Sequence, residues 1–204
     1  MGCGPGGAQY LTGQALAAVR EADTVLGPPR LLALFEPLAR SVVLETARAE
    51  EVAALIRTLP AERLAVLVSG DPGLFSLAGP LRRLLAPGWQ VRAVPGISSL
   101  QAACACLGLE WQHMQVFSAH RATPAQLAAA VESGASDLAV LCGPGRQPQH
   151  LAAELLKTTR GDRRCHVASD LGEPTQRLWS GTLRRLAQED FVARSVLIVE
   201  RRQS

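Results

Sequence analysis

Short apolar runs rich in β-branched residues alternate along this chain with longer amphipathic stretches rich in alanine and leucine. This alternation is typical of an α/β protein, because helices cover the faces of an apolar sheet. The nearly continuous apolar character of the strands in the first half favours a mostly parallel sheet. The predicted strands there are 22–27, 41–45, 63–70 and 89–96, and the predicted helices are 8–22, 49–60, 74–86 and 98–108.

The second half has shorter connections between its strands, which favours some antiparallel pairing and therefore a mixed sheet. Its predicted strands are 114–119, 136–143, 163–172, 175–181 and 195–202. The expected architecture is two packed α/β domains, 1–110 and 111–204, joined by a hinge at 109–113.

The N-terminal stretch MGCGPGG raises the question of a nucleotide site, because Gly2, Gly4 and Gly7 formally match the pattern G-x-G-x-x-G. That pattern binds phosphate where a strand precedes it and a helix follows, and only Met1 precedes Gly2 here. Pro5 also removes one backbone donor. An NAD-dependent oxidoreductase therefore stays open as a rival with weak support, and the first domain is expected to lack its first strand.

Charge and composition narrow the class of partner. The 204 residues have a formal net charge of +3, and Lys157 is the single lysine among 21 basic residues. Arginine forks pair well with carboxylates and phosphates, although coding bias also enriches arginine. No dense basic run with interleaved aromatic residues is present, so nucleic acid is not an expected partner.

Targeting and cysteine patterns point to a cytoplasmic protein without a metal site. No apolar run approaches the roughly eighteen residues of a membrane span, and no signal-peptide pattern is present. The five cysteines form no CxxC pair and lack metal-ligand spacing to the histidines, so they are expected to be buried, reduced thiols.

Three glycine-bearing turns follow predicted strands: SGDPGLF at 69–75, VPGISS at 94–99 and LCGPGR at 141–146. Each turn alone is explained as an ordinary connector, since glycine, aspartate and proline are common in turns. Ligands of open α/β sheets bind outside the carboxyl ends of the strands, however, and all three turns lie there. Their shared position favours a ligand site.

The order and spacing of GPGG, SGDPG, PGISS and LCGPGR resemble the tetrapyrrole methylase superfamily of S-adenosylmethionine-dependent enzymes. The segments YLT, LGLEW and ASDLGEPTQR make the chain similar to the CbiE family, the precorrin-7 (carbon 5) methyltransferases of cobalamin biosynthesis. The resemblance implies an active-site cleft between two α/β domains, a precorrin substrate, S-adenosylmethionine as cofactor and a homodimer. It also implies pairing with a separate decarboxylating methyltransferase, because some relatives are fused to one.

The resemblance further implies which residues line the site. Cofactor contacts are expected from Pro5, Ser69, Gly70, Asp71, Leu74, Phe75, Ser98, Ser99, Cys142, Ala168 and Asp170. A substrate-side position is expected for Gly4, Gly6, His120 and Arg121, with unspecified arginines holding the substrate's carboxylates. No catalytic side chain is assigned, because transfer of an electrophilic sulfonium methyl depends mainly on in-line alignment.

Three further functions remain open at this point. One is methylation of another tetrapyrrole position or of ribosomal RNA by an enzyme of the same superfamily. The second is the oxidoreductase suggested by the N-terminal glycines. The third is a non-catalytic interaction protein that keeps the surface of the family without its chemistry.

Overall fold

The structure is a computed structural model that describes residues 1–35, 37–86 and 88–202. The chain forms two compact units, Met1–Ser98 and Ser99–Ser204, called unit 1 and unit 2 below. The domain boundary predicted from the sequence, between residues 110 and 111, stays a prediction about the organisation of this chain.

Unit 1 contains a three-stranded parallel sheet in the order β2-β1-β3. All four residues of β1 are buried, as expected for a central strand covered on both faces. The strands are β1 (Thr24–Gly27), β2 (Ser41–Val43) and β3 (Leu64–Val66), and the helices are α1 (Gly13–Arg20), α2 (Pro29–Leu32), α3 (Ala49–Thr58) and α4 (Ala78–Leu85), with short 3-10 turns at Ala8–Tyr10 and Ala33–Phe35.

The helix α3 shows why the spacing of apolar residues predicted a helix in this unit. Its buried residues are Ala49, Val52, Ala53 and Ile56, which share one helical face by their spacing. Acidic residues occupy its first turn and Arg57 its last, which complements the helix dipole.

The first residues of the chain lie beside the segment that continues β3. The amide of Val68 donates to the carbonyl of Met1 at 3.0 Å, and the amide of Cys3 donates to the carbonyl of Val68 at 2.9 Å. Gly2 and Val68 form an isolated parallel bridge. Met1–Cys3 therefore supply backbone partners on this side of the sheet, where the sequence led us to expect a missing strand.

Two predicted elements of unit 1 are corrected. No strand is present at 89–96 among the described residues; Val94 accepts one bond from the amide of Gly2, and Pro95 has no N–H with which to continue a ladder. The predicted helix at 8–22 is shorter, because the Thr12 hydroxyl accepts from the amide of Ala15 and starts α1 at Gly13.

Unit 2 contains a five-stranded mixed sheet in the order β4-β5-β8-β6-β7, as predicted for the second half. The pair β4–β5 is parallel, and the β5–β8, β8–β6 and β6–β7 pairs are antiparallel. The strands are β4 (Gln115–Ser118), β5 (Leu138–Leu141), β6 (Arg164–Ser169), β7 (Arg177–Thr182) and β8 (Ser195–Val199), and the helices are α5 (Ser99–Leu107), α6 (Pro124–Ser133), α7 (Pro148–Thr158) and α8 (Leu183–Leu186).

The strand register of unit 2 decides which loops are neighbours. Ser118 pairs with Leu141, Leu141 with Val196, and Ser169 with Ser195. The carboxyl ends of β4, β5 and β6 therefore lie at one edge of the sheet, together with the start of β8. The parallel sheet of unit 1 and the mixed sheet of unit 2 confirm the predicted α/β fold.

The structure tests the expectation that the cysteines are buried, and it also shows whether any helix could span a membrane. Cys3, Cys104 and Cys165 are buried free thiols and Cys142 is partly exposed, whereas Cys106 is exposed, which corrects the expectation that all five are buried. In the described part of the chain, every helix is too short or too polar to cross a bilayer.

Candidate functional site

Three backbone segments of unit 1 meet at Gly2, Gly70 and Gly96. A Cβ atom built on Gly96 would lie 2.5 Å from the carbonyl oxygen of Gly70 and 2.8 Å from the Cα of Gly2. A Cβ atom on Gly2 would also lie 2.5 Å from the Gly70 oxygen. Only glycine fits at such close backbone approaches. The N-terminus, the loop after β3 and the segment before α5 are thus held together without intervening side chains.

The first glycine loop is paired directly with the loop after β3. The amide of Gly70 donates to the carbonyl of Gly4 at 2.7 Å, and the amide of Gly4 donates back at 3.4 Å. Gly4 has φ +73° and Gly70 has φ +65°, conformations that favour glycine. The structure therefore brings Gly4, with the Pro5 and Gly6 that follow it, next to Ser69 and Asp71.

Asp71 uses both carboxylate oxygens inside unit 1. Its Oδ1 accepts from the amide of Gly73 at 2.7 Å, and its Oδ2 accepts from the amide of Gly96 at 3.1 Å. The amide of Leu74 donates to the carbonyl of Asp71 at 3.2 Å. The side chain therefore fastens two loops to each other, a role that the turn-like sequence SGDPG does not reveal.

Phe75 combines backbone strain with exposure. Its φ is +48°, which is rare for a bulky side chain, and 39% of its surface is exposed. Phe75 therefore combines a strained backbone with a side chain that is only partly buried. Strain of this kind concentrates where a side chain must be presented to a ligand.

We expect Phe75→Asn to raise the stability of the protein and to weaken ligand binding. Asparagine tolerates the left-handed region, so the free energy of unfolding should rise by about 1 kcal/mol as strain is removed. Thermal unfolding, and calorimetry with S-adenosylhomocysteine as the product form of the cofactor that the sequence resemblance implies, measure the two effects on the same preparation.

Trp111→Asn is the control for Phe75→Asn, because Trp111 is 47% exposed and is not among the residues with positive φ. We expect it to change neither quantity. A Phe75→Asn protein with unchanged affinity would contradict the role of the aromatic ring.

Arg30 is a site residue that the sequence did not single out. Its Nη2 donates to the Ser69 hydroxyl at 2.9 Å, from the helix α2 that follows β1. The two residues are 39 positions apart, and no local pattern marks the contact. Ser69 is therefore held in place by a cation at the carboxyl edge of the unit 1 sheet.

His120 and Cys142 come together at the corresponding edge of unit 2. The amide of Ala119 donates to the carbonyl of Leu141, and the amide of Cys142 donates to the carbonyl of Ser195, both at 2.9 Å. A Cβ atom on Gly143 would overlap the His120 ring, so the imidazole lies directly against the Gly143 backbone. Arg121 follows His120 in the same turn, where its amide donates to the carbonyl of Ser118.

Cys142 has an inert thiol. Burial raises the pKa of the Cys142 thiol to about 12, and its Sγ lies 3.7 Å from the carbonyl oxygen of Val140. A thiol with this pKa stays protonated at neutral pH and is a poor nucleophile. Only its backbone and its apolar surface are suited to ligand contact.

Asp170 is enclosed by partners within unit 2. Its Oδ1 accepts from the Nε and Nη2 of Arg194 at 2.8 and 2.7 Å, and its Oδ2 accepts from the hydroxyl of Thr175 at 2.9 Å. Its φ is +46°. Ala168, two residues before it, is fully buried. The sequence predicts the Asp170 loop as a site but does not indicate Arg194.

Another arginine at this end of the sheet, Arg146, ends the loop after β5. Its Nη1 forms an ion pair with Glu154 Oε2 at 2.7 Å. Its Nε and Nη2 are buried and have no hydrogen-bond partner within residues 1–35, 37–86 and 88–202. No sequence signal beyond the general preference for arginine identifies it.

The expected site residues thus fall into two groups. One group lies at the carboxyl ends of the strands of unit 1 and consists of Gly4, Pro5, Gly6, Ser69, Gly70, Asp71, Leu74 and Phe75. The other lies at the carboxyl ends of β4, β5 and β6 in unit 2 and consists of His120, Arg121, Cys142, Ala168 and Asp170. Ser98 is buried at the end of unit 1, and Ser99 begins α5.

Each unit has a β-sheet with helices beside it and glycine loops at the carboxyl ends of its strands. This is the arrangement in which α/β proteins bind ligands. The family model of the tetrapyrrole (corrin/porphyrin) methylases matches residues 1–187, and the chain belongs to this family. The resemblance found in the sequence is therefore confirmed, and with it the class of enzyme, a methyltransferase. The family assignment disfavours an NAD-dependent oxidoreductase.

Within this family, three curated relatives show which named methyltransferases the chain is similar to. The chain is 29% identical over 209 residues to the cobalt-precorrin-7 C(5)-methyltransferase of Salmonella typhimurium, covering 99% of this chain and 98% of that protein. It is 31% identical over 195 residues to the precorrin-6Y C(5,15)-methyltransferase [decarboxylating] of Mycobacterium tuberculosis, covering 92% of this chain and 47% of that protein. A probable cobalt-precorrin-7 C(5)-methyltransferase of Methanocaldococcus jannaschii is 32% identical over 123 residues, or 59% of this chain and 58% of that protein.

Solved structures agree on the fold. The uroporphyrin-III C-methyl transferase of Thermus thermophilus complexed with S-adenosylhomocysteine is 26% identical, with a TM-score of 0.75 over 98% of this chain and 95% of that one. The precorrin-6Y methylase (cbiE) of Archaeoglobus fulgidus has a TM-score of 0.74 at 24% identity, over 98% and 96% of the two chains.

Proposed function

We propose that this protein transfers a methyl group from S-adenosylmethionine to carbon 5 of precorrin-7 or its cobalt form. The observation that carries the proposal is the end-to-end likeness to the cobalt-precorrin-7 C(5)-methyltransferase of Salmonella typhimurium, over 99% of this chain and 98% of that protein. Two curated relatives with other names match less of this chain in sequence: a cobalt-factor III methyltransferase and a siroheme synthase each match 55% of it.

The strand-edge loops fit a ligand such as S-adenosylmethionine. The Gly2–Gly70–Gly96 contact leaves no room for side chains, and the amides of all three glycines already donate within unit 1, so a ligand would meet the loop residues around this contact. In the loop after β5 of unit 2, Gly145 has φ +74°, and a Cβ atom built on it would meet nothing within 4 Å, so space is open beside its backbone. Polar backbone beside apolar surface suits a nucleoside with a zwitterionic tail.

Residues of both units are proposed to hold the cofactor. In unit 1 they are Pro5, Ser69, Gly70, Asp71, Leu74, Phe75 and Ser98, and in unit 2 they are Ser99, Cys142, Ala168 and Asp170. Because Asp71 and Asp170 already accept hydrogen bonds from the protein, we propose that they shape the loops while the backbone next to them binds.

The chain's chemical task is alignment. When bound, S-adenosylmethionine would supply an electrophilic methyl group: the ring carbon would give the electron pair of the new C–C bond, and the sulfonium C–S bond would break with its electrons kept by the sulfur of S-adenosylhomocysteine. Loops fastened by Asp71 and by the Gly4–Gly70 pair limit the motion of whatever they bind, which favours an in-line approach. Gly4, Gly6, His120 and Arg121 are proposed to lie on the substrate side.

Three further parts of the proposal concern the setting of the enzyme. It is proposed to be cytoplasmic, to form a homodimer, and to work with a separate methyltransferase that decarboxylates the same class of substrate. The last point is supported by the relative from Mycobacterium tuberculosis, of whose length this chain matches 47%.

Calorimetry with S-adenosylhomocysteine tests the cofactor directly, because the product lacks the reactive methyl group. We expect one binding site per chain for S-adenosylhomocysteine and none for NAD. Incubation with precorrin-7 and methyl-labelled S-adenosylmethionine should then add one labelled methyl group to the tetrapyrrole. A folded, monodisperse protein that binds NAD in place of S-adenosylhomocysteine, or that binds neither, would contradict the proposal.

A further inference from the structure

Arg194 lies at the carboxyl edge of the unit 2 sheet, immediately before β8. The carbonyl of the following residue, Ser195, accepts from the amide of Cys142 at 2.9 Å, so Arg194 is next to the loop that follows β5. Its own carbonyl accepts from the amide of Asp170 at 3.0 Å. The backbone at Arg194 and Ser195 is therefore hydrogen-bonded to the segments that follow β5 and β6, the strands on either side of β8.

The guanidinium of Arg194 is held along one edge only. Its Nε and Nη2 donate to Asp170 Oδ1 at 2.8 and 2.7 Å. Within the described residues, no hydrogen bond or ion pair involves its Nη1. The other edge of the guanidinium, formed by Nη1 and the second hydrogen of Nη2, remains available. Arginine can bind a carboxylate along such an edge with two parallel hydrogen bonds.

The exposures of the two partners differ in a way that suits ligand recognition. The Asp170 side chain is 8% exposed, whereas the Arg194 side chain is 50% exposed. The carboxylate is thus a buried anchor and the guanidinium is the accessible group. Thr175 binds the remaining carboxylate oxygen at 2.9 Å, which fixes the anchor.

Stability does not explain this arrangement well. A buried carboxylate must be desolvated, and such ion pairs are weak evidence for stabilisation. Asp170 also has φ +46°, a conformation that aspartate adopts more readily than most residues other than glycine. A buried anchor that orients an accessible cation at the end of a strand is the arrangement expected of a binding site.

We propose that Arg194 binds a carboxylate of the bound ligand through the Nη1 end of its guanidinium, and that Asp170 is the positioning residue that orients it. The inference rests on the proposed function, since both S-adenosylmethionine and a precorrin carry carboxylates. It names one of the anion-binding arginines that the sequence leaves unspecified.

The test compares Arg194→Gln, Arg194→Lys and Asp170→Asn with wild type. Two ligands are titrated without turnover: S-adenosylhomocysteine by calorimetry, and precorrin-7 by absorbance in the absence of methyl donor. The methyl ester of S-adenosylhomocysteine is a third ligand that lacks the carboxylate charge. Arg185→Gln is the matched control, because Arg185 is an exposed arginine of α8 in the same unit.

We expect Arg194→Gln to weaken binding of one ligand by roughly tenfold or more, as for the loss of charge-assisted hydrogen bonds. Arg194→Lys should recover only part of the affinity, because an ammonium lacks the fork. Asp170→Asn should weaken the same ligand, and Arg185→Gln should weaken none. Thermal unfolding of each variant reports whether the fold is retained.

The pattern of losses identifies the source of the carboxylate. If Arg194→Gln loses affinity for S-adenosylhomocysteine, and binds this ligand and its methyl ester equally well, the carboxylate belongs to the cofactor. A loss for precorrin-7 alone assigns it to the substrate. If Arg194→Gln is folded and binds both ligands as wild type does, the inference is wrong while the proposed function stands. Wild-type protein that binds neither ligand contradicts the proposed function, and the role of Arg194 with it.

Discussion

Replacing Gly96 with alanine is expected to destabilise unit 1 and to abolish binding of S-adenosylhomocysteine. The new Cβ would lie 2.5 Å from the Gly70 oxygen and 2.7 Å from the carbonyl carbon of Gly2, both of which are backbone atoms. Backbone cannot move aside as the end of a flexible side chain can, so two of the three loops must separate. Overpacking of this kind costs about 3 kcal/mol of unfolding free energy.

Denaturant unfolding and calorimetry measure the two effects of Gly96→Ala. The matched control is Gly13→Ala at the start of α1, where a Cβ would meet nothing within 4 Å. This control should change stability by no more than about 1 kcal/mol and in the favourable direction. A Gly96→Ala protein with the stability and affinity of wild type would show that the three loops do not need their close approach.

Asp71→Asn is expected to weaken S-adenosylhomocysteine binding and to lower stability. The carboxylate accepts from the amides of Gly73 and Gly96, one on each oxygen. Asparagine offers one oxygen, and its NH₂ group would face the other amide donor. One backbone N–H is left without its partner, at a cost of about 1 to 3 kcal/mol.

The chain offers a control for Asp71→Asn with similar chemistry at the opposite end of the same sheet. Asp23 Oδ2 accepts from the amides of Glu62 and Arg63 at 3.1 and 2.8 Å, before β1 and β3 begin. Because one asparagine oxygen can still accept from both amides, Asp23→Asn should lower stability less than Asp71→Asn and leave the affinity for S-adenosylhomocysteine unchanged. Equal losses of affinity in both variants would mean that the effect of Asp71 is general destabilisation.

The regular elements were largely predictable because their signals are local. The strands β1, β5 and β8 are apolar runs, and α3 repeats its buried residues at helical spacing. The segment 89–96 has the same apolar character, yet it is not a strand. Whether an extended segment joins a sheet depends on donors and acceptors elsewhere in the chain, and Pro95 lacks the donor.

The site was predictable as a set of loops and not as a set of contacts. Glycine turns after predicted strands marked the loops at 69–75, 94–99 and 141–146, although the segment before 94–99 is not a strand. The Asp71–Gly96, Asp170–Arg194 and Arg30–Ser69 contacts join residues 25, 24 and 39 positions apart. No periodicity or turn preference reaches over such separations.

By itself, the sequence determined the α/β class, the positions of most strands and helices, the glycine loops and the family. These follow from hydrophobic periodicity and from backbone conformations that few residues adopt, both of which are properties of short segments. Only the tertiary structure decided that Asp71 fastens two loops, that Phe75 is strained and exposed, and that Arg194 is anchored by Asp170. Each depends on strand register and on close backbone approach, which are set by the folded chain as a whole.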